Sequence, residues 1–261
     1  MGRALAGLRS AAFVVFLALT VIPWGTAAVL YSIVARSDRL YWMCAGWLRV
    51  ATWGAKAICG VHARVQGREN LPDGAVVMLS KHQSTWETFA MLAIFEDPAF
   101  IMKRELMWIP GFGWYAWKGG MVAINRSAGS AALVEMTRRA KTAVQEGRQI
   151  IIYPEGTRRP PGAAPAYKFG IAHLYSTLGV PCLPVALNSG LFWPRRTFLR
   201  RPGTIVVEFL EPLPPGLPRE EFFQTMKERI ETASDRLLAE GPPGLTLHAG
   251  EHSASRSPSP S

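Results

Sequence analysis

Between residues 61 and 240 the chain alternates short apolar runs with stretches of helical periodicity. This alternation is typical of an α/β domain. Short runs bounded by glycine, proline or polar residues predict buried strands, because a strand covered on both faces carries apolar side chains throughout. The predicted strands are 61–66, 75–79, 99–102, 121–124, 149–153, 182–187 and 204–209.

Helices are predicted between the strands, where apolar residues recur every three or four positions. The clearest is 130–146, in which Leu133, Met136 and Ala140 share one face and Gly147 ends the pattern. The other predicted helices are 88–95, 169–178 and a stretch after Pro218 whose apolar stripe ends at Leu237.

The N-terminal region begins with an apolar stretch, residues 11–35, that contains no charged side chain. A helix of this length spans roughly 37 Å, against about 30 Å for the hydrocarbon core of a bilayer. A cleaved signal peptide is the alternative. The stretch is longer than the apolar part of a signal peptide and ends in no small-x-small site, which favours an uncleaved membrane anchor.

The next stretch, residues 40–59, carries Trp42, Trp47 and Trp53 and few charges. This composition predicts a second helix at the membrane interface; a core helix of the soluble domain is the alternative. We therefore expect hydrophobic and interfacial helices in residues 1–60, an α/β domain in residues 61–240 and a disordered tail, rich in Pro, Gly and Ser, in residues 241–261.

Charge and cysteine content narrow the range of partners. The 29 Lys and Arg outnumber the 19 Asp and Glu in 261 residues, which favours anionic partners such as phospholipids, phosphorylated substrates or acidic carriers. The 9 tryptophans suit a membrane interface. No zinc-finger or RNA-binding motif is present, so no nucleic-acid partner is expected. The 3 cysteines lack metal-ligand spacing, and neither a metal nor a cofactor is expected.

A candidate for proton transfer follows the predicted strand 75–79. His82 is followed five positions later by the carboxylate of Glu87, at the start of the predicted helix 88–95. A carboxylate bonded to one imidazole nitrogen fixes the tautomer, so the other nitrogen can accept a proton. Because no Gly-x-Ser-x-Gly elbow is present, a substrate hydroxyl is the expected proton donor. Alternatively, Ser84 and Glu87 form only a capping box that begins the helix.

A second candidate follows the predicted strand 149–153. After Pro154, the turn Glu155-Gly156-Thr157-Arg158 offers a planar guanidinium suited to a phosphate. We expect Glu155 to hold that guanidinium or to bind a substrate hydroxyl. An ordinary turn with a surface ion pair is the alternative.

Taken with two further segments, these motifs resemble those of the glycerolipid acyltransferase family. The segment Lys103-Arg104-Glu105-Leu106, with Ile109-Pro110-Gly111 and 119–126, resembles the family's second motif, and 180–185 resembles its fourth. The resemblance covers about residues 75 to 190 and is strongest to the 1-acylglycerol-3-phosphate acyltransferases. The family usually has aspartate where this chain has Glu87.

The resemblance implies a mixed central sheet flanked by helices, and acyl transfer from acyl-ACP or acyl-CoA to the sn-2 hydroxyl of 1-acylglycerol 3-phosphate, making phosphatidic acid. It implies a membrane-associated enzyme at the cytoplasmic face of the inner membrane, with His82 as general base and Glu87 as its orienting group. The implied substrate-binding residues are Lys103, Arg104, Arg126, Glu155, Gly156, Thr157 and Arg158.

Two alternatives stay open from the sequence. The acceptor could be another lysolipid, such as a lyso-ornithine lipid or a lysophospholipid with a larger head group. The chain could also be a catalytically silent lipid-binding relative, and the exchange of Asp for Glu87 is the feature that favours this.

Overall fold

The computed structural model describes residues 2–34, 37–95 and 97–242 of the chain. The predicted disordered tail lies outside the described residues from position 243 onward. Two long helices come first, α1 (Arg3–Val34) and α2 (Ser37–Cys59). One stretch of the described residues, Ala4–Tyr31 in α1, is long and apolar enough to cross a membrane, and little of it is buried in the protein.

The α/β part of the chain contains seven strands and six α-helices among the described residues. The strands are β1 (Val61–Gln66), β2 (Val77–Ser80), β3 (Ala99–Lys103), β4 (Val122–Ile124), β5 (Ile150–Ile152), β6 (Cys182–Leu187) and β7 (Gly203–Phe209). The helices are α3 (Trp86–Ile94), α4 (Phe112–Lys118), α5 (Gly129–Gln145), α6 (Gly170–Leu178), α7 (Ser189–Phe192) and α8 (Arg219–Ala239).

All seven strands join one mixed sheet in the order β1-β7-β6-β2-β5-β3-β4. The five strands from β6 to β4 are parallel to one another, and β7 pairs antiparallel with β6 and parallel with β1. The predicted α/β fold with a mixed sheet is therefore confirmed. Each predicted strand is found, with bounds that differ by at most two residues.

Alternating side chains of the central strands support two separate cores. Met78 of β2 packs with α2, α3 and α4 on one face, whereas Val77 and Leu79 pack with α5, α6 and α8 on the other. Because β2 is covered on both faces, its four residues are all buried. The same alternation continues beyond the strand and sends Lys81 and His82 to opposite faces of the sheet.

Helix α2 packs against the α/β part of the chain with one face. Tyr41, Ala45 and Leu48 on this face are buried, and the Tyr41 hydroxyl donates to the carbonyl of Leu92 at 3.0 Å. Trp42 and Trp53 are exposed on the rest of its surface. The structure thus combines the two sequence interpretations of α2: it contributes to the core and also exposes tryptophan.

Candidate active site

His82 and Glu87 lie at the carboxyl end of β2, where parallel sheets place their chemistry. The Nδ1 atom of His82 is 2.9 Å from Oε1 of Glu87. The Glu87 side chain is fully buried, and that of His82 is 16% exposed. The contact fixes Nδ1 as the protonated nitrogen and leaves Nε2 as the nitrogen that can accept a proton.

Glu87 is held by three further hydrogen bonds. The backbone N–H groups of Gln83 and Ser84 donate to Oε1 at 2.7 and 2.6 Å, and the Ser189 hydroxyl donates to Oε2 at 2.8 Å. The Trp86 N–H donates to the Ser84 hydroxyl at 3.1 Å, so Ser84 and Glu87 accept hydrogen bonds at the start of α3 in a variant of the capping box. The capping and the histidine contact therefore coexist, because one carboxylate oxygen serves both.

The imidazole of His82 is also fixed by Tyr153. The two rings stack with centroids 3.9 Å apart and planes 14° apart. The Tyr153 hydroxyl is 3.4 Å from that of Thr88, and burial raises the pKa of Tyr153 well above its ordinary value. The backbone N–H of Arg159 donates to the His82 carbonyl at 2.8 Å. Ring and backbone of His82 are thus both restrained before any substrate binds.

His82 opens onto a cavity of about 430 Å³ that has a basic wall. The predicted substrate-binding residues on this cavity are Lys103, Arg126, Gly156, Thr157 and Arg158. The imidazole at position 82 and the guanidinium at position 158 therefore face the same cavity, which is the arrangement that attack by a hydroxyl next to a phosphate requires.

Two arginines of the cavity are held in place by hydrogen bonds. Arg158 donates from Nη1 to the Thr85 hydroxyl at 2.5 Å. Arg126 donates to the carbonyl of Gly156, which ties the segment 119–126 to the turn Glu155-Gly156-Thr157-Arg158. Gly156 has a φ of 67°, and a Cβ atom there would lie 3.4 Å from the Arg126 guanidinium. A side chain at position 156 would be strained and would crowd that arginine.

Two predicted substrate-binding residues lie away from the cavity. Arg104 is exposed at the start of a short 3-10 helix, Arg104–Trp108. Glu155 is buried, 3.6 Å from the Lys81 ammonium and 3.7 Å from the Arg159 guanidinium. The expected contact between Glu155 and Arg158 is therefore wrong: the carboxylate points to the face of Lys81 and α8, opposite the His82 cavity.

Glu155 belongs to a buried charged cluster between the sheet and α8. The Lys81 ammonium lies 2.5 Å from a carboxylate oxygen of Glu231 on α8, and the Tyr167 hydroxyl donates to the same oxygen at 2.5 Å. Lys81 precedes His82, and Glu155 lies two residues after Tyr153. The cluster thus connects the two chain segments that carry His82 and Tyr153.

Glu155 should make stability depend on pH. Burial raises the pKa of Glu155, and Lys81 and Arg159 only partly oppose this shift. The folded state then binds the proton more tightly than the unfolded state, for which the pKa is about 4.3. The resulting stabilisation is present below that value and is lost as pH rises through the raised pKa.

We therefore expect the melting temperature of the wild type, relative to Glu155→Gln, to fall between about pH 4 and neutral pH. Thermal unfolding of both proteins in the same detergent measures this difference. A difference that does not change with pH would show that Glu155 is not the titrating group.

A second, apolar cavity of about 650 Å³ adjoins the polar one. It lies between residues 21–30 of α1, α2, α3 and residues 109–115, and both cavities share Phe89 and Leu92 as lining residues. An acyl chain that starts beside His82 can therefore extend into the second cavity and stay shielded from water.

Three residues of the site were not identified from the sequence: Tyr153, Thr85 and Ser189. Tyr153 and Thr85 stand within the two main motifs, but nothing local shows that one stacks on His82 or that the other holds Arg158. Ser189 is 102 positions from Glu87, and only the fold brings them together. Among residues 2–34, 37–95 and 97–242, no group of three or more His, Cys, Asp or Glu side chains could hold a metal ion.

Comparisons with known proteins bear on the family and the fold of the chain. A family model described as Acyltransferase matches residues 62–188. A 1-acyl-sn-glycerol-3-phosphate acyltransferase of Pseudomonas aeruginosa is 35% identical, over 77% of this chain and 78% of its own. One from Saccharomyces cerevisiae is 27% identical, over 82% and 71%. The crystal structure of the 1-acyl-sn-glycerophosphate (LPA) acyltransferase from Thermotoga maritima superposes with a TM-score of 0.75 at 24% identity, covering 90% of this chain and 97% of that one, and shows the same fold.

Proposed function

The chain belongs to the 1-acylglycerol-3-phosphate acyltransferase family of glycerolipid acyltransferases, and we propose that it transfers an acyl chain to the sn-2 hydroxyl of 1-acylglycerol 3-phosphate, with His82 as general base. The product is phosphatidic acid. The observation that carries this proposal is the shared cavity, in which an oriented imidazole faces fixed cationic side chains.

The reaction follows from the orientation of His82. Nε2 accepts the proton of the acceptor hydroxyl while its oxygen attacks the thioester carbonyl carbon. The imidazolium that forms is stabilised by the Glu87 carboxylate at 2.9 Å. Collapse of the tetrahedral intermediate breaks the C–S bond, and the imidazolium returns its proton to the departing thiolate. A positioned base of this kind contributes about 10²–10⁴-fold to the rate.

Arg158, Arg126 and Lys103 hold the acceptor phosphate. A phosphate oxygen can accept from a planar guanidinium in a bidentate contact, and the hydrogen bonds of Arg158 and Arg126 fix where those groups lie. Gly156 and Thr157 line the same wall and allow close approach of the backbone. Binding of the phosphate places the sn-2 hydroxyl, two carbon atoms away from the phosphate oxygen, beside Nε2.

Acyl-ACP or acyl-CoA supplies the acyl group. Both donors are anionic thioesters, and the protein carries a net charge of +10 that attracts them. We propose that α1 anchors the enzyme at the cytoplasmic face of the inner membrane. The apolar cavity beside α1 then takes up chains that come from the bilayer.

Transfer is proposed to be direct, without an acyl-enzyme. Of the described residues that line the polar cavity, three are threonines and none is serine or cysteine. Cys182 lies buried in β6, and burial raises the pKa of its thiol far above the ordinary value. An acyl-protein adduct trapped after mixing with donor alone would refute the direct step.

Thiol release from an acyl donor tests the function. Release that depends on added 1-acylglycerol 3-phosphate, with phosphatidic acid as product, supports the proposal. Release with a lyso-ornithine lipid or a larger lysophospholipid alone would assign another acceptor. If no thiol were released with any of these acceptors, the protein would be a catalytically silent lipid-binding relative.

Replacing Arg158 by alanine should chiefly raise the apparent KM for the phosphorylated acceptor. Loss of a charge-assisted contact to phosphate costs about 1.5–3 kcal/mol, or about 10- to 100-fold in KM. Steady-state kinetics with varied acceptor give this value. Arg138→Ala is the matched control, because Arg138 is an exposed arginine that pairs with Glu135 on α5. Unchanged KM in Arg158→Ala would remove Arg158 from the phosphate site.

A further inference from the structure

Large apolar side chains are exposed on and just before α4, at the rim of the two cavities and beyond it. Trp108 is 79% exposed and Trp117 63%, and neither lines either of the two cavities described above. Leu106, Ile109, Phe112 and Trp114 are exposed by 38–48%. We call these six residues the α4 patch. Water-soluble surfaces rarely gather so many large apolar groups, so the patch indicates a binding surface.

The location of the α4 patch points to lipid as its occupant. Residues 109–115 and residues 21–30 of α1 line the same apolar cavity, and a Cβ atom at Gly111 would lie 4.0 Å from Val29. Leu19, Ile22 and Leu30 of α1 are 62–70% exposed. The patch therefore continues the apolar surface of the helix that is long enough to cross a membrane.

The composition of the patch fits the headgroup region of a bilayer. Tryptophan, with an apolar ring and a polar N–H, is enriched at that depth. The exposed cations Lys103 and Arg104 precede the patch, with Glu105 as the one exposed carboxylate between them and Leu106. Basic residues next to an apolar surface favour anionic lipids. Arg104, which does not reach the polar cavity, is well placed for such a contact.

We infer that the α4 patch is a second membrane-docking surface, which inserts into the headgroup region of an anionic bilayer and seats the mouth of the apolar cavity on the lipid. This goes beyond anchoring by α1 alone, because it brings a surface of the α/β part of the chain into contact with the lipid. The patch lies on the same face of the sheet as α2 and α3, whereas α5, α6 and α8 cover the other face.

Lipid contact can be measured without any enzyme turnover. An environment-sensitive fluorophore is attached to the full chain through Trp117→Cys, and in a control protein through Glu228→Cys on α8, which is exposed on the opposite face. Both proteins carry Cys44→Ala, because Cys44 is partly exposed and would also react with the fluorophore. Cys59 and Cys182 are buried and are retained. The proteins are reconstituted in vesicles of phosphatidylglycerol and phosphatidylethanolamine, with or without shallow spin-labelled lipid.

Spin-labelled lipid should quench the fluorophore at position 117 and leave the one at position 228 bright. Equal emission at both positions with and without spin label would overturn the inference. If the emission at position 117 were unaffected by lipid but changed with protein concentration, the patch would be a contact surface between two copies of the protein. Since the readout is fluorescence, failure here is separate from failure of the proposed reaction.

Kinetics give an independent test that rests on the proposed function. The double variant Trp108→Ser/Trp117→Ser should lower kcat/KM on acceptor in anionic vesicles about tenfold, because burying one large apolar side chain is worth at least that factor. Turnover of a short-chain, monodisperse acceptor should stay unchanged. The control is Val134→Ser, which removes an exposed apolar side chain from α5 on the opposite face. Equal losses on both acceptors would mean that the tryptophans only stabilise the fold.

Discussion

Replacing His82 by alanine lowers kcat by about 10²–10⁴-fold, the contribution expected of a positioned general base. The loss should fall on kcat, because the proposed phosphate-binding arginines, Arg158 and Arg126, are held by Thr85 and Gly156 and not by the imidazole. Thiol release under saturating acceptor and donor measures it.

The fold should survive this change. Glu87 keeps its bonds from Gln83, Ser84 and Ser189 when the imidazole is removed, so no buried carboxylate loses all its partners. We expect binding to vesicles and the melting temperature to stay close to those of the wild type. His173→Ala on α6 is the matched control and should retain full activity. A near wild-type rate in His82→Ala would exclude His82 as the base.

Replacing Glu87 by glutamine is expected to lower kcat by a similar factor, about 10²–10⁴. The amide keeps the shape of the side chain but removes the charge that stabilises the imidazolium. The new amide NH₂ group is itself a donor, yet it would face groups that donate to the carboxylate in the wild type. Nδ1 of His82 is then held less firmly in its protonated form. The KM for the acceptor should change little, because Glu87 is fully buried and does not line the cavity.

Glu87→Asp separates charge from reach. Aspartate is the residue that the family usually has here, and it keeps the carboxylate while shortening the side chain by one methylene. We expect its kcat to lie between those of the wild type and Glu87→Gln. Melting curves of both variants exclude unfolding at the assay temperature. If Glu87→Gln and Glu87→Asp were both as active as the wild type, the carboxylate would have no role in orienting His82.

The glutamate at position 87 does not by itself indicate a silent relative. Its oxygen reaches Nδ1 at 2.9 Å and also accepts the two backbone bonds of the turn. The longer side chain is therefore accommodated by the turn that it caps, and an imidazole with a free Nε2 results. This is the physical reason for favouring an active enzyme over a lipid-binding protein.

Local sequence determined the elements and the histidine–carboxylate pair. Buried strands need apolar runs, and each of the seven runs became a strand of the sheet. Only five residues, a strand end and the start of a helix, separate His82 from Glu87. The carboxylate can therefore reach the imidazole through local backbone geometry, without contacts from distant parts of the chain. The backbone freedom of Gly156 also follows from its residue type alone.

Only the tertiary structure decided which distant groups meet. The sheet order places β6 between β2 and β7, and this brings Ser189 to Glu87 from 102 positions away. The fold also decides on which side of the sheet each of these side chains lies. Arg158 and Arg126 reach the cavity of His82, whereas Glu155 contacts Lys81 on the opposite face. Sequence periodicity cannot assign such faces in a turn, because no regular repeat of φ and ψ relates one side chain to the next. Long-range packing supplies that information, and with it the charged cluster that connects the two chain segments that carry His82 and Tyr153.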